Sequence, residues 1–382
     1  MEKVLIITTN SGFVPQFEMN DVRILKENGY QIHYASNFEK PIYEIDTEAL
    51  KKQGLILHHV NIEKSPIHML KNTKALKRIA KIIDEEKIDL VHCHNPIGGV
   101  LGRLAAKFSD RKPSVIYTAH GFHFYKGAPI KNWLIYYTVE RWLARYTDII
   151  ITINREDFER AKKFRLRVNG KVEQIHGVGV DLQKFKKRPE LRHKKRAELG
   201  IPQEAFHIVS VAELNANKNQ KVIIEAIARM KKKEIFYSIC GEGKNLKNLQ
   251  KLVKKYQLQE RVRLLGYRTD VDEVLQTADW FAFPSIREGL GIAAVEAIAC
   301  EVPVIASDNR GTREYMIHGK NGIICPYGKV DDFEAAICML YENPQLCAEM
   351  AANCREIAQP FAINETDKEM RRIYAMFGNA KR

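Results

Sequence analysis

The chain has 382 residues, of which 45% are hydrophobic and 28% charged, and its formal net charge is +14. These values are typical of a globular chain with room for two domains, and they exclude a disordered or fibrous protein. Seven scattered cysteines, an odd number without close pairs, argue against a disulfide framework and a structural zinc site. No stretch approaches the roughly 20 apolar residues of a membrane span, and the first ten residues are typical of a strand instead of a signal peptide.

Short apolar runs alternate with helical patterns along the chain. The predicted strands cover residues 4–8, 31–35, 89–94, 114–120, 148–153, 206–211, 235–239, 261–265, 280–283, 304–306 and 322–325. Helices are predicted over 21–28, where Gly29 marks the end, and over 365–377, after Pro360. A repeated strand-then-helix order predicts an α/β protein with doubly wound, mostly parallel sheets, whose ligands lie outside the carboxyl ends of the strands. The polar, proline-marked stretch 183–190 is the predicted linker between two such domains.

The most informative segment is 278–300, in which an apolar strand pattern runs into a loop with two glycines and then into a helix. Two acids flank this turn, with Glu288 in the loop and Glu296 on the helix. A helix start preceded by glycines presents unpaired backbone N–H groups, which favour a phosphate. Carboxylates instead accept hydrogen bonds from hydroxyls, which sugars carry. The combination indicates a nucleotide-sugar site.

The order of the segments around these acids resembles the family 4 retaining glycosyltransferases. The supporting residues are Val262–Val271 before the acids, the loop 301–314 and the turn 319–324 after them, and 118–127 and 177–181 nearer the amino terminus. The last two segments make the chain most similar to the bacterial enzymes that build surface or capsular polysaccharides. The resemblance implies the GT-B fold, in which two Rossmann-like doubly wound domains face a central cleft. It predicts an acceptor-side domain over 1–183, a donor-binding domain over 184–362, and a terminal helix over about 363–382 that packs back on the first domain.

The resemblance also implies roles for residues of the second domain. Glu288, counted among the catalytic residues, would contact the donor sugar, Glu296 the ribose, and Lys218 the diphosphate. The backbone of Gly289, Leu290 and Gly291 would face the distal phosphate, while the base would lie near Gly241, Gly266 and Tyr267. The family usually has an arginine where this chain has Glu213, so we expect Glu213 to turn away or pair with a base. Arg287 or Arg310 could then supply the missing charge.

In the first domain, His120 matches the active-site histidine of the family, and we expect it beside the transferred sugar and the departing phosphate. Gly12 matches a loop close to donor and acceptor, although Ser11 stands where the family often has a second glycine. His94 and Asn95, at another strand end, are weaker acceptor-side candidates.

The expected reaction moves a hexose or N-acetylhexosamine, with retention, from a nucleotide sugar to a glycan or polyprenyl-diphosphate-linked acceptor. UDP-sugars are the commonest donors in the resembling group. We expect no metal and no cofactor, because no DxD-type motif follows a strand and GT-B enzymes generally act without a bound metal. Basic clusters at 67–82, 162–167 and 184–196 suggest an anionic membrane surface as a further partner, so we expect a cytoplasmic protein, peripheral on the inner face of the cell membrane.

Three alternatives are weighed against this interpretation. A nucleotide-sugar epimerase of the same fold would need no acceptor, and the segment 118–127 resembles transferases. A nucleic-acid-binding protein is suggested by the charge alone, since no RNA or DNA motif is present, and we expect no nucleic-acid partner. A dinucleotide-dependent dehydrogenase lacks its glycine fingerprint after the first strand.

Overall fold

The computed structural model describes residues 1–41, 45–65 and 68–378, which divide into two compact units. The first unit comprises residues 1–179 together with the helix that begins at Ile363, and the second comprises residues 180–362. The predicted linker 183–190 thus lies inside the second unit. The backbone N–H of Arg188 donates to Oε1 of Gln276 at 2.6 Å, which anchors this stretch there.

The first unit contains one seven-stranded parallel sheet between two layers of helices. Its strands are β1 (Lys3–Ile7), β2 (Gln31–Ser36), β3 (Leu55–His59), β4 (Leu90–His94), β5 (Ser114–Ala119), β6 (Ile149–Thr152) and β7 (Lys171–Gln174), in the order β3-β2-β1-β4-β5-β6-β7. Its helices are α1 (Met19–Glu27), α2 (Thr47–Lys52), α3 (Met69–Glu85), α4 (Pro96–Phe108), α5 (Ile130–Asn132), α6 (Thr138–Leu143) and α7 (Arg155–Ala161). The strand order reverses between β1 and β4, so the loops after these two strands diverge and leave a crevice at the carboxyl edge of the sheet.

The second unit repeats the plan with a six-stranded parallel sheet. Its helices are α8 (Pro189–Glu198), α9 (Lys221–Met230), α10 (Leu246–Lys255), α11 (Val271–Leu275), α12 (Ile292–Ala299), α13 (Val330–Glu342) and α14 (Pro344–Ala358). Its strands are β8 (Phe206–Val211), β9 (Ile235–Cys240), β10 (Val262–Gly266), β11 (Trp280–Phe283), β12 (Val304–Ser307) and β13 (Gly322–Cys325), in the order β10-β9-β8-β11-β12-β13. The strand order reverses between β8 and β11. The predicted doubly wound α/β class is therefore confirmed in both units.

The last helix, α15 (Ile363–Gly378), packs on α1 within the first unit. The phenol of Tyr374 donates to Oδ2 of Asp21 at 2.9 Å and is also 2.9 Å from Nδ1 of His92 on β4. All three side chains are buried. A terminal segment is thereby tied to the centre of the first sheet by hydrogen bonds as well as by apolar packing.

Two strands, β3 and β7, were absent from the sequence prediction. Both are edge strands, and their residues are mostly half-buried or exposed. Because such strands bury little apolar surface, they lack the continuous hydrophobic run by which the central strands were recognised.

Three cations of the basic cluster 184–196 are paired with acids of the second unit. Arg192 and Arg196 both bind the carboxylate of Asp279, with Arg196 at 2.8 Å and fully buried. Lys195 pairs with Glu198 and Glu273, each at 2.9 Å. These three cations therefore neutralise acids of their own unit, whereas Lys184, Lys186 and Lys194 are exposed, and the membrane hypothesis for this cluster stays a prediction.

The helix predicted from the first basic cluster is α3, which begins at Met69. Ile67, where that cluster starts, lies outside the described residues. The apolar side chains of α3 pack into the core. Its exposed residues include Lys71, Lys74, Lys77, Arg78 and Lys81. In the part of the chain that the structure describes, no helix combines the length and apolarity needed to span a membrane.

We expect Gly241→Ala to destabilise the second unit much more than Gly319→Ala. Both glycines have positive φ, of 135° and 79°, which costs an alanine about 1–2 kcal/mol. A Cβ at Gly241 would in addition lie 2.0 Å from the carbonyl oxygen of Ala212, whereas nothing lies within 4 Å at Gly319. The extra overpacking should cost roughly 3 kcal/mol more. Urea unfolding followed by circular dichroism measures both changes, and equal losses would contradict this packing argument.

Candidate functional site

The second unit brings Lys218 and Glu288 into direct contact. Lys218 lies in the loop after β8 and Glu288 in the loop after β11, the two strands between which the order reverses. Lys218 Nζ lies 2.7 Å from Oε1 of Glu288, and the two side chains are only 22% and 12% exposed. The ammonium also lies 5.5 Å from the centre of the Phe283 ring. A cation and a carboxylate are thus fixed together at the crevice, where a ligand with both phosphate and hydroxyl groups can be bound.

The glycine turn after Glu288 is forced by packing. Gly291 has φ of 98°, and a Cβ there would lie 2.6 Å from the Phe283 ring. The turn leads directly into α12, an eight-residue helix whose N-terminus has no side-chain cap. Its first N–H groups therefore remain available at the same edge of the sheet as Lys218.

Glu296 differs from Glu288 in its electrostatic environment. It lies on α12, and burial raises its pKa to about 7, with Lys184 opposing this shift and Asp272 adding to it. Near neutral pH, Glu296 therefore exchanges between a carboxylic acid, which can donate a hydrogen bond, and a carboxylate, which can only accept. Glu288 instead has a lysine partner at hydrogen-bond distance.

The loop after β12 packs against the glycine turn. A Cβ at Gly311 would lie 2.7 Å from the carbonyl oxygen of Leu290, and Nε of the buried Arg310 donates to the carbonyl of Glu288 at 3.2 Å. On the other side, Nδ2 of Asn217 donates to the carbonyl of Arg287 at 2.9 Å. Both predicted arginines therefore lie beside Glu288, and the guanidinium of Arg310 contacts that backbone.

Glu213 occupies the position where an arginine was expected. Its side chain is exposed, and it forms no ion pair with any residue that the structure describes. Its carbonyl oxygen accepts from Nε2 of Gln220 at 3.2 Å. The acid thus turns to solvent, the first of the two expected outcomes, and it avoids the cost of a buried charge.

Gly241, Gly266 and Tyr267 lie together at the ends of β9 and β10. The N–H of Gly241 donates to the carbonyl of Gly266 at 2.7 Å, and Tyr267 is 65% exposed. These are the residues near which the base is expected. A glycine is required at Gly241 for a local reason, because a Cβ there would lie 2.0 Å from the carbonyl oxygen of Ala212.

In the first unit, His94 and His120 form a contact pair at the ends of β4 and β5. Nδ1 of His94 lies 3.1 Å from Nε2 of His120, and the rings stack with an interplanar angle of 23°. Burial lowers the pKa of His120 to about 4 and that of His94 well below its usual value, so both imidazoles are neutral at physiological pH. The predicted catalytic histidine and an acceptor-side candidate therefore belong to one cluster.

The other two first-unit candidates lie in loops beside this pair. Gly12 is buried, and its N–H donates to Oδ1 of Asn10 at 3.3 Å. Asn95 caps the start of α4 with φ of 62°, and its Oδ1 accepts from the N–H of Thr9 at 3.3 Å. Asn95 thus joins the loop after β1 to the loop after β4, which shapes the crevice.

Glu18 is a site residue that the sequence analysis missed. It ends a π-helical turn, Val14–Glu18, directly before α1. Its Oε1 lies 3.6 Å from Nδ1 of His94 and 3.5 Å from Nε2 of His120, and it has no hydrogen-bond partner in the described structure. Burial, and then the nearby Asp21, raise the pKa of Glu18 well above its usual value. In the sequence its only signal was an acid three residues before another acid, which is typical of a solvated helix start.

The cluster borders a cavity within the first unit. The cavity is lined by residues at the start of α1, at the end of β5 and at the start of α15, among them Glu18, Asp21, Thr118, His120 and Thr366. Its volume of about 20 Å³ has room for a water molecule, to which these side chains offer hydroxyl, carboxyl and imidazole groups.

Two family models match the chain, "Glycosyl transferases group 1" over residues 192–358 and "Glycosyl transferase 4-like" over residues 3–154. A putative glycosyltransferase, EpsD of Bacillus subtilis (strain 168), is 38% identical over 98% of this chain and 97% of its own. UDP-Gal:alpha-D-GlcNAc-diphosphoundecaprenol alpha-1,3-galactosyltransferase of Escherichia coli is 29% identical over 81% of this chain and 80% of its own. Anabaena Alr3699/HepE, solved with UDP and glucose, has a TM-score of 0.79 at 20% identity and covers 98% of this chain and 100% of its own. This structural likeness confirms the GT-B fold.

We expect the stability of the second unit to fall as the pH rises from 5 to 8, because of Glu296. Its pKa of about 7 in the folded state exceeds the ordinary value of 4.5, so the folded protein holds a proton that the unfolded chain releases. Stability is therefore lost as pH rises through this window, by about 2 kcal/mol for a half-buried carboxyl. Thermal unfolding at each pH measures the loss. Glu296→Gln should flatten this dependence, whereas the exposed Glu260→Gln should leave it unchanged, and a Glu296→Gln profile equal to that of the unaltered protein would contradict the assignment.

Proposed function

Because the chain belongs to the family 4 glycosyltransferases, we propose that it transfers a sugar from a UDP-sugar to a hydroxyl of a lipid-linked glycan during surface polysaccharide synthesis, with retention of anomeric configuration. The observation that carries this proposal is the Lys218–Glu288 pair, held beside an uncapped helix start where the strand order of the second sheet reverses. A uridine nucleotide is supported by the UDP complex of Anabaena HepE, and a lipid-linked acceptor by the name of the Escherichia coli relative.

The second unit binds the donor in this proposal. Glu288 accepts hydrogen bonds from the hydroxyls of the transferred sugar, and Glu296 binds the ribose. The turn 289–291 and the start of α12 direct N–H groups at the distal phosphate. Lys218 neutralises the diphosphate, and Arg310 takes the place of the arginine that Glu213 replaces.

Sugar transfer then proceeds by displacement on one face of the sugar. The bond between the anomeric carbon and the diphosphate oxygen breaks, and a bond from that carbon to the acceptor oxygen forms. The acceptor proton passes to a diphosphate oxygen, so no protein nucleophile is needed. The protein's contribution is electrostatic, because Lys218 and the helix start stabilise the negative charge that develops on the leaving group. His120, neutral at physiological pH, orients the sugar and the departing phosphate.

The transfer needs no metal ion in this proposal. The diphosphate charge is met by Lys218, Arg310 and backbone N–H groups, which do what a divalent cation does in metal-dependent transferases. Sugar transfer should accordingly continue at an unchanged or higher rate after dialysis against EDTA, followed as release of UDP. A loss that added Mg²⁺ restores would contradict metal independence.

The acceptor's lipid places the enzyme at a membrane, and the first unit offers a surface for it. Residues 130–146 form a continuous helical segment made of α5, a π-helical turn, α6 and a 3₁₀ turn. The residues on its outer face recur at helical spacing. They are Lys131, Leu134, Ile135, Thr138, Arg141, Trp142 and Arg145, all exposed. We call this surface the outer face of 130–146.

The chemistry of that face fits an anionic bilayer. Leu134, Ile135 and Trp142 are 69%, 58% and 43% exposed, an unusual concentration of bare apolar side chains. The single acid between residues 126 and 146 is Glu140, which is buried and paired with Arg103 at 2.8 Å. A helix with apolar and basic residues outward lies in the headgroup layer, where each cation contributes about 1 kcal/mol.

We expect Lys218→Ala to lower the rate of sugar transfer by roughly 100-fold, because it removes charge stabilisation from the leaving diphosphate. Donor affinity should fall as well. The matched control is Lys221→Ala, which removes an exposed lysine three residues along the chain and should leave the rate unchanged. UDP release with acceptor present measures both, and equal rates for the two variants would refute the role of Lys218.

We expect Leu134→Glu combined with Trp142→Glu to reduce binding to phosphatidylglycerol-containing vesicles by at least tenfold. The substitutions remove apolar contact and place negative charge against the bilayer. The control, Ile317→Glu with Tyr327→Glu, makes the same charge change at exposed apolar residues of the second unit. Co-sedimentation measures binding, and an equal loss in both double variants would contradict the assigned surface.

A further inference from the structure

Glu18, His94 and His120 present three ligand atoms to one point in the first unit. The distances between these atoms are 3.1 Å from His94 Nδ1 to His120 Nε2, 3.6 Å from Glu18 Oε1 to His94 Nδ1, and 3.5 Å from Glu18 Oε1 to His120 Nε2. Zinc bonds of about 2.1 Å in a tetrahedral site separate neighbouring ligands by about 3.4 Å. The triangle is therefore already the size of one face of a zinc coordination sphere.

We propose that Glu18, His94 and His120 form a binding site for a divalent transition-metal ion, Zn²⁺, and that its occupancy blocks sugar transfer by holding His120. Two imidazoles and a carboxylate are a donor set that zinc takes and that magnesium and calcium do not prefer. Glu18 and His120 also line a cavity of about 20 Å³, which has room for a water molecule as a fourth ligand.

The second observation that points to a ligand is the unmet bonding capacity of Glu18. The Oε1 atom of Glu18 is buried and has no hydrogen-bond partner in the described structure. The same atom lies close to both imidazoles, 3.6 Å from Nδ1 of His94 and 3.5 Å from Nε2 of His120. Such an orphaned oxygen is rare, because burying it without a partner costs free energy. A metal ion at the centre of the triangle would bind this oxygen and both imidazole nitrogens at once.

The surroundings hold Glu18 but not His94. Asp21 contacts Glu18 and accepts a hydrogen bond from Tyr374, which in turn contacts His92 on β4. These contacts fix the carboxylate of Glu18, as the hydrogen-bond partners of ligand side chains do in metal sites. Nε2 of His94, in contrast, has no partner in the described structure. Since that contact commonly strengthens binding tenfold to 100-fold, its lack predicts an ion that is exchanged reversibly.

The described residues include a second cluster of the same composition, which serves as a control. His33, His58 and Glu86 lie on β2, on β3 and just after α3, with Nδ1 of His33 hydrogen-bonded to Nε2 of His58 at 2.9 Å. A hydrogen bond between two imidazoles is common to both clusters, so their acids distinguish them. Glu86 is half-buried and lies 4.0 Å from the ammonium of Lys3, whereas Oε1 of Glu18 is buried without a hydrogen-bond partner in the described structure. We therefore assign the zinc site to the first cluster only.

The binding test titrates Zn²⁺ into the full chain by calorimetry. We expect one ion per chain, with Kd raised at least about 100-fold in Glu18→Gln and in His94→Gln, and unchanged within twofold in His58→Gln. Co²⁺ as a spectroscopic probe should give bands of nitrogen and oxygen ligation without the thiolate charge-transfer band, which excludes the cysteines. Circular dichroism checks that each variant is folded. If only one of the two cluster variants folds, weakened zinc binding in that variant is enough to test the site. Loss of binding in His58→Gln only, thiolate ligation, or unchanged binding in both folded cluster variants would overturn the site.

The inhibition rests on the proposed function, whereas the binding does not. In a transfer assay, Zn²⁺ at ten times its Kd should lower UDP release at least fivefold, and EDTA should restore it. The remaining activity of Glu18→Gln should be insensitive to the same zinc concentration. Binding without any transfer activity would count against the proposed function alone. Transfer that zinc does not slow, although it binds the wild-type chain, would overturn the blocking role.

Discussion

The reversal of strand order at the centre of each sheet is the constraint on which both sites depend. Neighbouring strands whose connections leave in opposite directions cannot both be covered at their carboxyl ends, so their loops remain open to a ligand. The reversal between β8 and β11 places Lys218 against Glu288, and that between β1 and β4 places the loop of Gly12 beside His94. Two sheets of different sequence thus use one geometric device, and the residue types in their loops decide what each binds.

Burial then gives the carboxyl groups of these loops different chemistry. Glu288 is paired with a cation and is suited to accept from sugar hydroxyls. Glu296 has a pKa near 7, and Glu18, with no cation beside it, has a pKa well above its usual value. The same desolvation lowers the pKa of His94 and His120. The first unit therefore carries a neutral cluster and the second an ion pair, and these two environments suit an uncharged polar ligand and an anionic ligand respectively.

The central strands and the acid motif were predictable because they depend on local pattern. Buried parallel strands are continuous apolar runs, and glycines before a helix leave a recognisable start. The edge strands β3 and β7 were missed because their burial is partial. Glu18 was missed for another reason. Its partners, His94 and His120, are 76 and 102 residues away along the chain, and only the topology of the sheet brings them together. The pairing of the 184–196 cations with acids at 270–279 was hidden by the same long-range dependence.

The central claim is that the two units together perform retaining transfer from a nucleotide sugar to an acceptor. Its most direct test is proton NMR of the reaction with α-linked UDP-sugars and a polyprenyl-diphosphate-linked acceptor. The account predicts that UDP appears only with acceptor present, and that the transferred sugar keeps the small anomeric coupling of an α-linkage. A β-linked product, or conversion of the donor sugar without any acceptor, would contradict it.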